Sequence, residues 1–223
     1  MLATYPEAFA GGAIIAGLPY GSAKTMPEAF DRMRGHGGPN ERELGILVRQ
    51  ASRHEGPWPT VSVWHGTADT TVVPSNGRDI SSQWRALHNL KSAPTRTETI
   101  GRHRRRIWTT NEGRDAVEEY TITGMGHGTP LDSGPDGCGA PGPYMFDAGI
   151  SSTRRLAHFW GLGSPDARHQ KHISKNLRSC RRLLPPFLII RRPPVAPDEP
   201  GRGETIRQTV FEKLLRMRCG LQV

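Results

Sequence analysis

Two side chains in this sequence are of types that together do acid–base chemistry, and each follows a segment with the pattern of a β-strand. His127 lies in a glycine-rich turn, residues 124–128, after the alternating segment 120–123. Asp69 ends the segment His-Gly-Thr-Ala-Asp, which follows the strand-like segment 60–64. An imidazole moves protons near neutral pH, and a neighbouring carboxylate orients it and stabilises its charged form. The pair supplies two of the three groups of a Ser–His–Asp arrangement.

Each of these residues also has a simpler interpretation. Asp69 could cap a turn or the helix that follows, which is the commoner task of such an aspartate. His127 could be a residue of a surface loop. His65, just after the predicted strand, we expect to be structural and to form a hydrogen bond near the strand end. From residue types alone, these interpretations and the catalytic one stay open.

The elements that must hold the pair alternate along the chain. The predicted strands are residues 9–16, 60–64 and 120–123, with a hairpin of residues 96–100 and 104–110. The predicted helices are residues 26–34, 40–53, 76–89 and a last one that begins at residues 151–153 and ends near residue 161. We expect the first strand to be buried on both faces and the basic run 102–106 to be a solvated face of the hairpin. The alternation indicates an α/β fold with a mainly parallel sheet flanked by helices.

Charge divides the chain into two parts. The formal net charge is +9, but residues 163–223 hold 13 Lys/Arg against 5 Asp/Glu, whereas residues 1–162 hold 17 against 16. We therefore expect one domain in residues 1–162 and a poorly structured, Arg/Pro-rich basic tail in residues 163–223. The tail could bind anionic partners, but no groove-reading motif accompanies it, so no specific nucleic-acid binding is expected.

The remaining composition gives few further constraints. No apolar run is long enough to span a membrane, and no signal peptide is expected in the chain as given. Cys138, Cys180 and Cys219 lack the spacing of metal ligands. One disulfide among them is compatible with the sequence, and the count does not fix the cellular compartment.

Four segments in the same order resemble the polyhydroxybutyrate-depolymerase-type esterases, an α/β-hydrolase family that includes feruloyl and acetylxylan esterases. They are Leu-Ala-Thr-Tyr-Pro-Glu at residues 2–7, Trp-His-Gly-Thr-Ala-Asp-Thr-Thr-Val-Val at 64–73, Thr-Ile-Thr-Gly-Met-Gly-His-Gly-Thr-Pro-Leu at 121–131 and Gly-Ile-Ser-Ser-Thr-Arg-Arg at 149–155. The resemblance covers residues 1–162. It implies an α/β-hydrolase fold, with Asp69 in the acid position, His127 as the catalytic histidine, and no metal or organic cofactor.

The family's nucleophile has no counterpart in this sequence. That serine lies in a Gly-x-Ser-x-Gly elbow between a strand and a helix, and no such motif occurs in the 223 residues. The resemblance implies that the elbow precedes residues 2–7, so we expect an N-terminally truncated domain that lacks the nucleophile and the oxyanion-hole donors. Ser22 and Ser75 lack the strand–turn–helix setting, and we assign neither as a substitute.

The resemblance implies hydrolysis of a carboxylic ester through an acyl-enzyme, with a polyester, its oligomers or an aryl or acyl ester as substrate. A full-length member of the family is expected to be extracellular. Without the elbow, we expect the chain as given to be inactive. One alternative is a non-catalytic remnant whose basic tail binds anionic partners. Another is a different α/β-hydrolase, such as a peptidase or a dienelactone-type enzyme, against which the Gly-Met-Gly-His-Gly context argues.

Overall fold

A five-stranded mixed sheet forms the centre of the protein. The computed structural model describes residues 1–134 and 139–162, and the strands follow the spatial order β1, β2, β5, β4, β3. Their bounds are Gly11–Ile15 (β1), Thr60–Gly66 (β2), Arg96–Ile100 (β3), His103–Thr109 (β4) and Asp115–Ile122 (β5). A separate parallel pair joins Thr129–Leu131 (β6) to Met145–Asp147 (β7).

The directions of the strands confirm the predicted α/β class. β1, β2 and β5 are parallel neighbours, whereas β4 is antiparallel to both β5 and β3. Four of the five strands therefore run the same way, and the predicted hairpin is β3–β4. Because β2 and β5 are adjacent and parallel, their carboxyl ends meet at one edge of the sheet, where Gly66 pairs with Ile122. Asp69 and His127 follow these two ends.

The four predicted helices are all present, with ends shifted by a few residues. They are Met26–Met33 (α1), Glu41–Arg49 (α2), Ser75–Leu87 (α3) and Ser152–Phe159 (α4), and a 3₁₀ turn covers Pro6–Ala8. Asn40 caps α2 in a reciprocal arrangement with Glu43: Asn40 Oδ1 accepts the Glu43 N–H at 3.1 Å, and Glu43 Oε2 accepts the Asn40 N–H at 2.8 Å. This capping box satisfies two N–H groups that a helix start leaves without partners.

One face of the sheet packs against α3. Ile80, Trp84 and Leu87, which share one side of that helix, form a buried cluster with Val61 of β2 and Val117 of β5. Burying a large apolar side chain contributes about 1.5–3 kcal/mol. This cluster fixes the helix that begins just after the turn of Asp69.

The opposite face has its own apolar cluster. Trp64 of β2 stacks on Tyr120 of β5, with ring centroids 3.7 Å apart. Ile122, Met125 and Ile150 are buried in the same cluster. Met125 belongs to the turn that carries the histidine, so packing on this face anchors that turn.

Two expectations about exposure are wrong. β1 is half-buried throughout, because it is the edge strand of the described sheet. In the basic run 102–106, Arg105 is 11% exposed and binds the buried Glu118 at 2.6 Å, and Arg106 binds Glu119 at 2.6 Å. β4 lies between β3 and β5, so these side chains lie over neighbouring strands rather than in solvent. The other two arginines of the run are exposed.

Several predictions concern parts of the chain that lie outside the described residues. These are the basic tail 163–223, with the domain boundary before it, and the three cysteines Cys138, Cys180 and Cys219. In residues 1–134 and 139–162, no helix combines the length and the apolar character that crossing a bilayer requires.

Candidate active site

Asp69 lies in a tight turn that follows the end of β2. Its side chain is fully buried, with 0% exposed, and its Oδ1 accepts the N–H groups of Thr71 at 3.0 Å and Val72 at 2.9 Å. A short carboxylate that bonds to the backbone two and three residues further on closes the turn. The turn uses one carboxylate oxygen, which leaves Oδ2 for a side-chain partner.

The turn of Asp69 is joined directly to the turn that follows β5. The Ala68 N–H donates to the carbonyl of Met125 at 3.0 Å. Gly66 lies against the same carbonyl so closely that a Cβ atom at this position would overlap it. Only glycine permits this approach. The two turns therefore hold Asp69 and His127 near each other through backbone contacts as well as through their side chains.

The two side chains form a hydrogen bond. His127 Nδ1 lies 3.0 Å from Asp69 Oδ2. A carboxylate can only accept, so Nδ1 carries the proton and, in the neutral ring, Nε2 carries the lone pair. The His127 side chain is 30% exposed, and no described residue hydrogen-bonds to Nε2. The arrangement therefore presents a free imidazole base that a buried carboxylate orients from behind.

An exposed aromatic residue lies beside this histidine. The Tyr144 ring meets the His127 ring edge to face, with centroids 6.1 Å apart. Tyr144 has a φ of 59°, in the left-handed region, and its carbonyl accepts the N–H of Thr129 at 2.8 Å. Tyr144 is 68% exposed, and Met145 and Phe146 after it are also exposed. His127 thus borders an apolar surface.

A second histidine reaches the same carboxylate. His65 Nε2 lies 2.7 Å from the carbonyl oxygen of Val72 and 3.4 Å from Asp69 Oδ2. The predicted hydrogen bond near the strand end is therefore present. The contact with Asp69 was not predicted, because it depends on the path of the turn after β2.

Comparison with known proteins finds esterases that are similar to this chain in sequence. The chain is 39% identical over 165 residues to poly(3-hydroxyalkanoate) depolymerase C of Paucimonas lemoignei, which covers 73% of this chain and 40% of that protein. It is 34% identical over 135 residues to an acetylxylan esterase of Coprinopsis cinerea, which covers 58% of this chain and 36% of that protein. The chain is a homologue of the polyhydroxybutyrate-depolymerase-type esterases. No protein-family model matches it.

A solved structure shares the fold of the described part of the chain. The acetyl xylan esterase from Aspergillus awamori superposes with a TM-score of 0.57 at 20% identity, over 73% of this chain and 54% of that one. The described elements therefore form part of an α/β-hydrolase fold. The homologue spans less than half the length of the two curated relatives, 40% and 36% respectively.

Neither of the serines considered from the sequence, Ser22 and Ser75, bonds to His127. Ser22 donates its hydroxyl to the carbonyl of Pro19 at 2.8 Å, and Ser75 is the first residue of α3. Across the described ranges, no serine hydroxyl contacts His127 Nε2. The described site therefore contains a histidine and the carboxylate bonded to it, without a serine hydroxyl bonded to the histidine.

The described side chains around the site do not form a metal centre. Among residues 1–134 and 139–162, no group of three or more His, Cys, Asp or Glu side chains is arranged to hold a metal ion. His65, Asp69 and His127 come close to one another, but the Asp69 carboxylate uses its oxygens for the turn and for His127.

The sequence predicts the two residues that meet but not their aromatic neighbour. Asp69 and His127 each follow a predicted strand, and they are in contact. Tyr144 is not predicted from the sequence; the available signal is an aromatic residue just after the Gly/Pro-rich segment that follows the histidine turn. Its approach to His127 depends on the β6–β7 pairing, which the sequence pattern does not indicate.

Proposed function

We propose that this chain carries the acid and the base of a serine-type carboxylic-ester hydrolase of the polyhydroxybutyrate-depolymerase type. The observation that carries the proposal is the Asp69–His127 hydrogen bond of 3.0 Å, with Nε2 of the histidine left open. Homology to esterases supports the reaction class, and the α/β-hydrolase fold supports the assignment of the two roles.

In the proposed mechanism, His127 acts as base and then as acid. Nε2 accepts the proton of a serine hydroxyl as that oxygen attacks the ester carbonyl, and the resulting imidazolium is stabilised by the carboxylate of Asp69. His127 then gives the proton to the leaving alcohol. In the second half of the reaction it activates a water molecule, which releases the acid from the acyl-enzyme. These steps require no metal and no organic cofactor.

The substrate proposed is a carboxylic ester: a polyester, its oligomers, or an aryl or acyl ester. The names of the relatives, a poly(3-hydroxyalkanoate) depolymerase and acetylxylan esterases, support this class. Two exposed aromatic side chains are compatible with an apolar acyl group: Tyr144, whose ring meets that of His127, and Phe146, which lies against Gly128.

The nucleophile is the missing part. Because the 223 residues contain no Gly-x-Ser-x-Gly elbow, we propose that the chain by itself does not form an acyl-enzyme. Hydrolysis of 4-nitrophenyl butyrate by the purified chain tests this. The expected rate equals the background rate and is the same for His127→Ala, Asp69→Asn and the control His36→Gln, which changes an exposed histidine. Turnover that both site variants abolish and the control keeps would show that a nucleophile is present within these residues.

A further inference from the structure

His65 binds the turn of Asp69 from the strand side. It is the second-last residue of β2, and its side chain is 5% exposed. Nε2 lies 2.7 Å from the carbonyl oxygen of Val72. That oxygen can only accept, so Nε2 carries a proton and donates it to Val72. Asp69 Oδ2, at 3.4 Å from the same nitrogen, lies beside this N–H as a second, more distant acceptor.

The backbone of Val72 is bonded to both Asp69 and His65. The Val72 N–H donates to Asp69 Oδ1 at 2.9 Å, and the Val72 carbonyl accepts from His65. Both polar backbone groups of Val72 are thus fixed by side chains. His65 belongs to the rigid sheet, so it ties the far end of the turn back to β2 and limits the movement of the carboxylate.

Histidine is a poor choice for packing alone at this position. Nδ1 of His65 is buried and has no hydrogen-bond partner among the described residues, and an unmet buried polar group costs about 1–3 kcal/mol. A leucine would fill the space without that cost. The first turn of α3 also packs directly on the ring, since a Cβ atom on Gly77 would lie 3.0 Å from His65 Cβ and 3.1 Å from Nδ1. What the imidazole adds over leucine is the donor at Nε2.

We propose that His65 is a positioning residue for the Asp69–His127 pair. Its Nε2–H holds Val72, and through Val72 it holds Asp69, so that Oδ2 faces His127 Nδ1. The Val72 carbonyl, as the nearer acceptor, takes the N–H of His65 and leaves Oδ2 to accept from His127. The claim that this positioning serves catalysis rests on the proposed function, whereas the claim that His65 holds the turn of Asp69 in place does not.

The test reads the state of His127 in the chain as it exists and needs no turnover. Side-chain ¹⁵N shifts report which imidazole nitrogen of His127 carries the proton, and amide hydrogen exchange reports the bonds of Thr71 and Val72 to Asp69. The variants are His65→Leu, which removes the donor; His65→Asn, whose amide is too short to reach Val72; and His65→Gln, whose amide reaches it. The matched control is His88→Leu, which removes another imidazole bonded to a backbone carbonyl, that of Pro59 at 3.0 Å.

In His65→Leu and His65→Asn, we expect His127 to populate more than the one form that carries its proton on Nδ1. We also expect the amide hydrogens of Thr71 and Val72 to exchange with solvent at least ten-fold faster than in the wild-type chain. Amides in the centre of the sheet should keep their protection. His65→Gln and His88→Leu should retain the wild-type state of His127. The proposal is overturned if His65→Asn leaves both signals unchanged, or if His88→Leu alters them equally. Since no ester is used, a failure here is distinct from a failure of the proposed function.

Discussion

Gly66 of β2 and the carbonyl of Met125 lie so close together that no side chain fits between them. This contact joins the turn of Asp69 to the turn of His127, next to the Ala68–Met125 hydrogen bond of 3.0 Å. The distance between the two candidate catalytic side chains therefore depends on a glycine that has no chemistry of its own.

We predict that Gly66→Ala separates the two turns. The new methyl group meets a backbone carbonyl, which cannot rotate away as a side chain can, so the strand ends must shift. Overpacking of this kind typically costs about 1–3 kcal/mol. Urea unfolding should show a decrease of that size in the free energy of unfolding. The ¹⁵N shifts should show that His127 no longer has its proton on Nδ1 alone.

Gly126→Ala is the control in the same turn, since nothing lies within 4 Å of a Cβ atom there, and it should change stability by less than about 0.5 kcal/mol. Equal effects of the two substitutions would contradict the role of the Gly66 contact.

Asp69→Asn should reverse the tautomer of His127. The carboxylate can only accept, whereas an amide can present its NH₂ group to the ring and so favour a proton on Nε2. We expect the downfield Nδ1–H resonance of the wild-type chain to disappear. The ¹⁵N shift of Nε2 should become that of a protonated ring nitrogen, and the shift of Nδ1 that of an unprotonated one. Asp79→Asn, a change of an exposed aspartate in α3, should leave both unchanged. A His127 spectrum that Asp69→Asn does not alter would show that the hydrogen bond is absent in solution.

The second prediction on stability concerns the buried ion pair that joins three strands. Glu118 of β5 is 0% exposed; it accepts from the Ser62 hydroxyl at 2.6 Å and binds Arg105 at 2.6 Å. Burial raises the pKa of the Glu118 carboxyl, and the charge of Arg105 opposes that rise. Removing the arginine alone would leave a buried carboxyl group without its charged partner.

Arg105→Met should therefore destabilise the chain by about 3–5 kcal/mol. Combining it with Glu118→Gln removes the buried charge, and the double variant should recover a large part of the loss. Arg104→Met, a change of an exposed neighbour on β4, should cost less than about 0.5 kcal/mol. Denaturant titrations of the four proteins measure this. If the double variant is as unstable as Arg105→Met, the cost arises from packing rather than from the uncompensated carboxylate.

The sequence was informative where short-range pattern decides the structure. Alternation and capping residues predicted the elements, such as α2 with Asn40 at its start. The sequence also paired Asp69 with His127, because each follows a predicted strand and the resemblance to the esterases matches the segments that hold them. Their catalytic roles remain proposals.

The contacts that depend on register could not be predicted. Arg105 reaches Glu118 only because β4 pairs with β5 in one particular alignment, and a shift by one residue would have turned Arg105 to the other face of the sheet. The contact of His65 with Asp69 depends on the path of a six-residue turn, residues 67–72, and no periodicity encodes such a path.

Ester hydrolysis by a chain that has been given a nucleophile tests the central claim most directly. A segment with a Gly-x-Ser-x-Gly elbow, taken from an esterase relative, is fused ahead of Met1, and hydrolysis of 4-nitrophenyl butyrate is followed. We predict turnover above background that falls about 10⁴-fold with Asp69→Asn, is abolished by His127→Ala, and persists with His36→Gln. The claim would be contradicted by turnover that survives both site substitutions. It would also be contradicted by a fusion protein that hydrolyses no ester although its His127 keeps the proton on Nδ1.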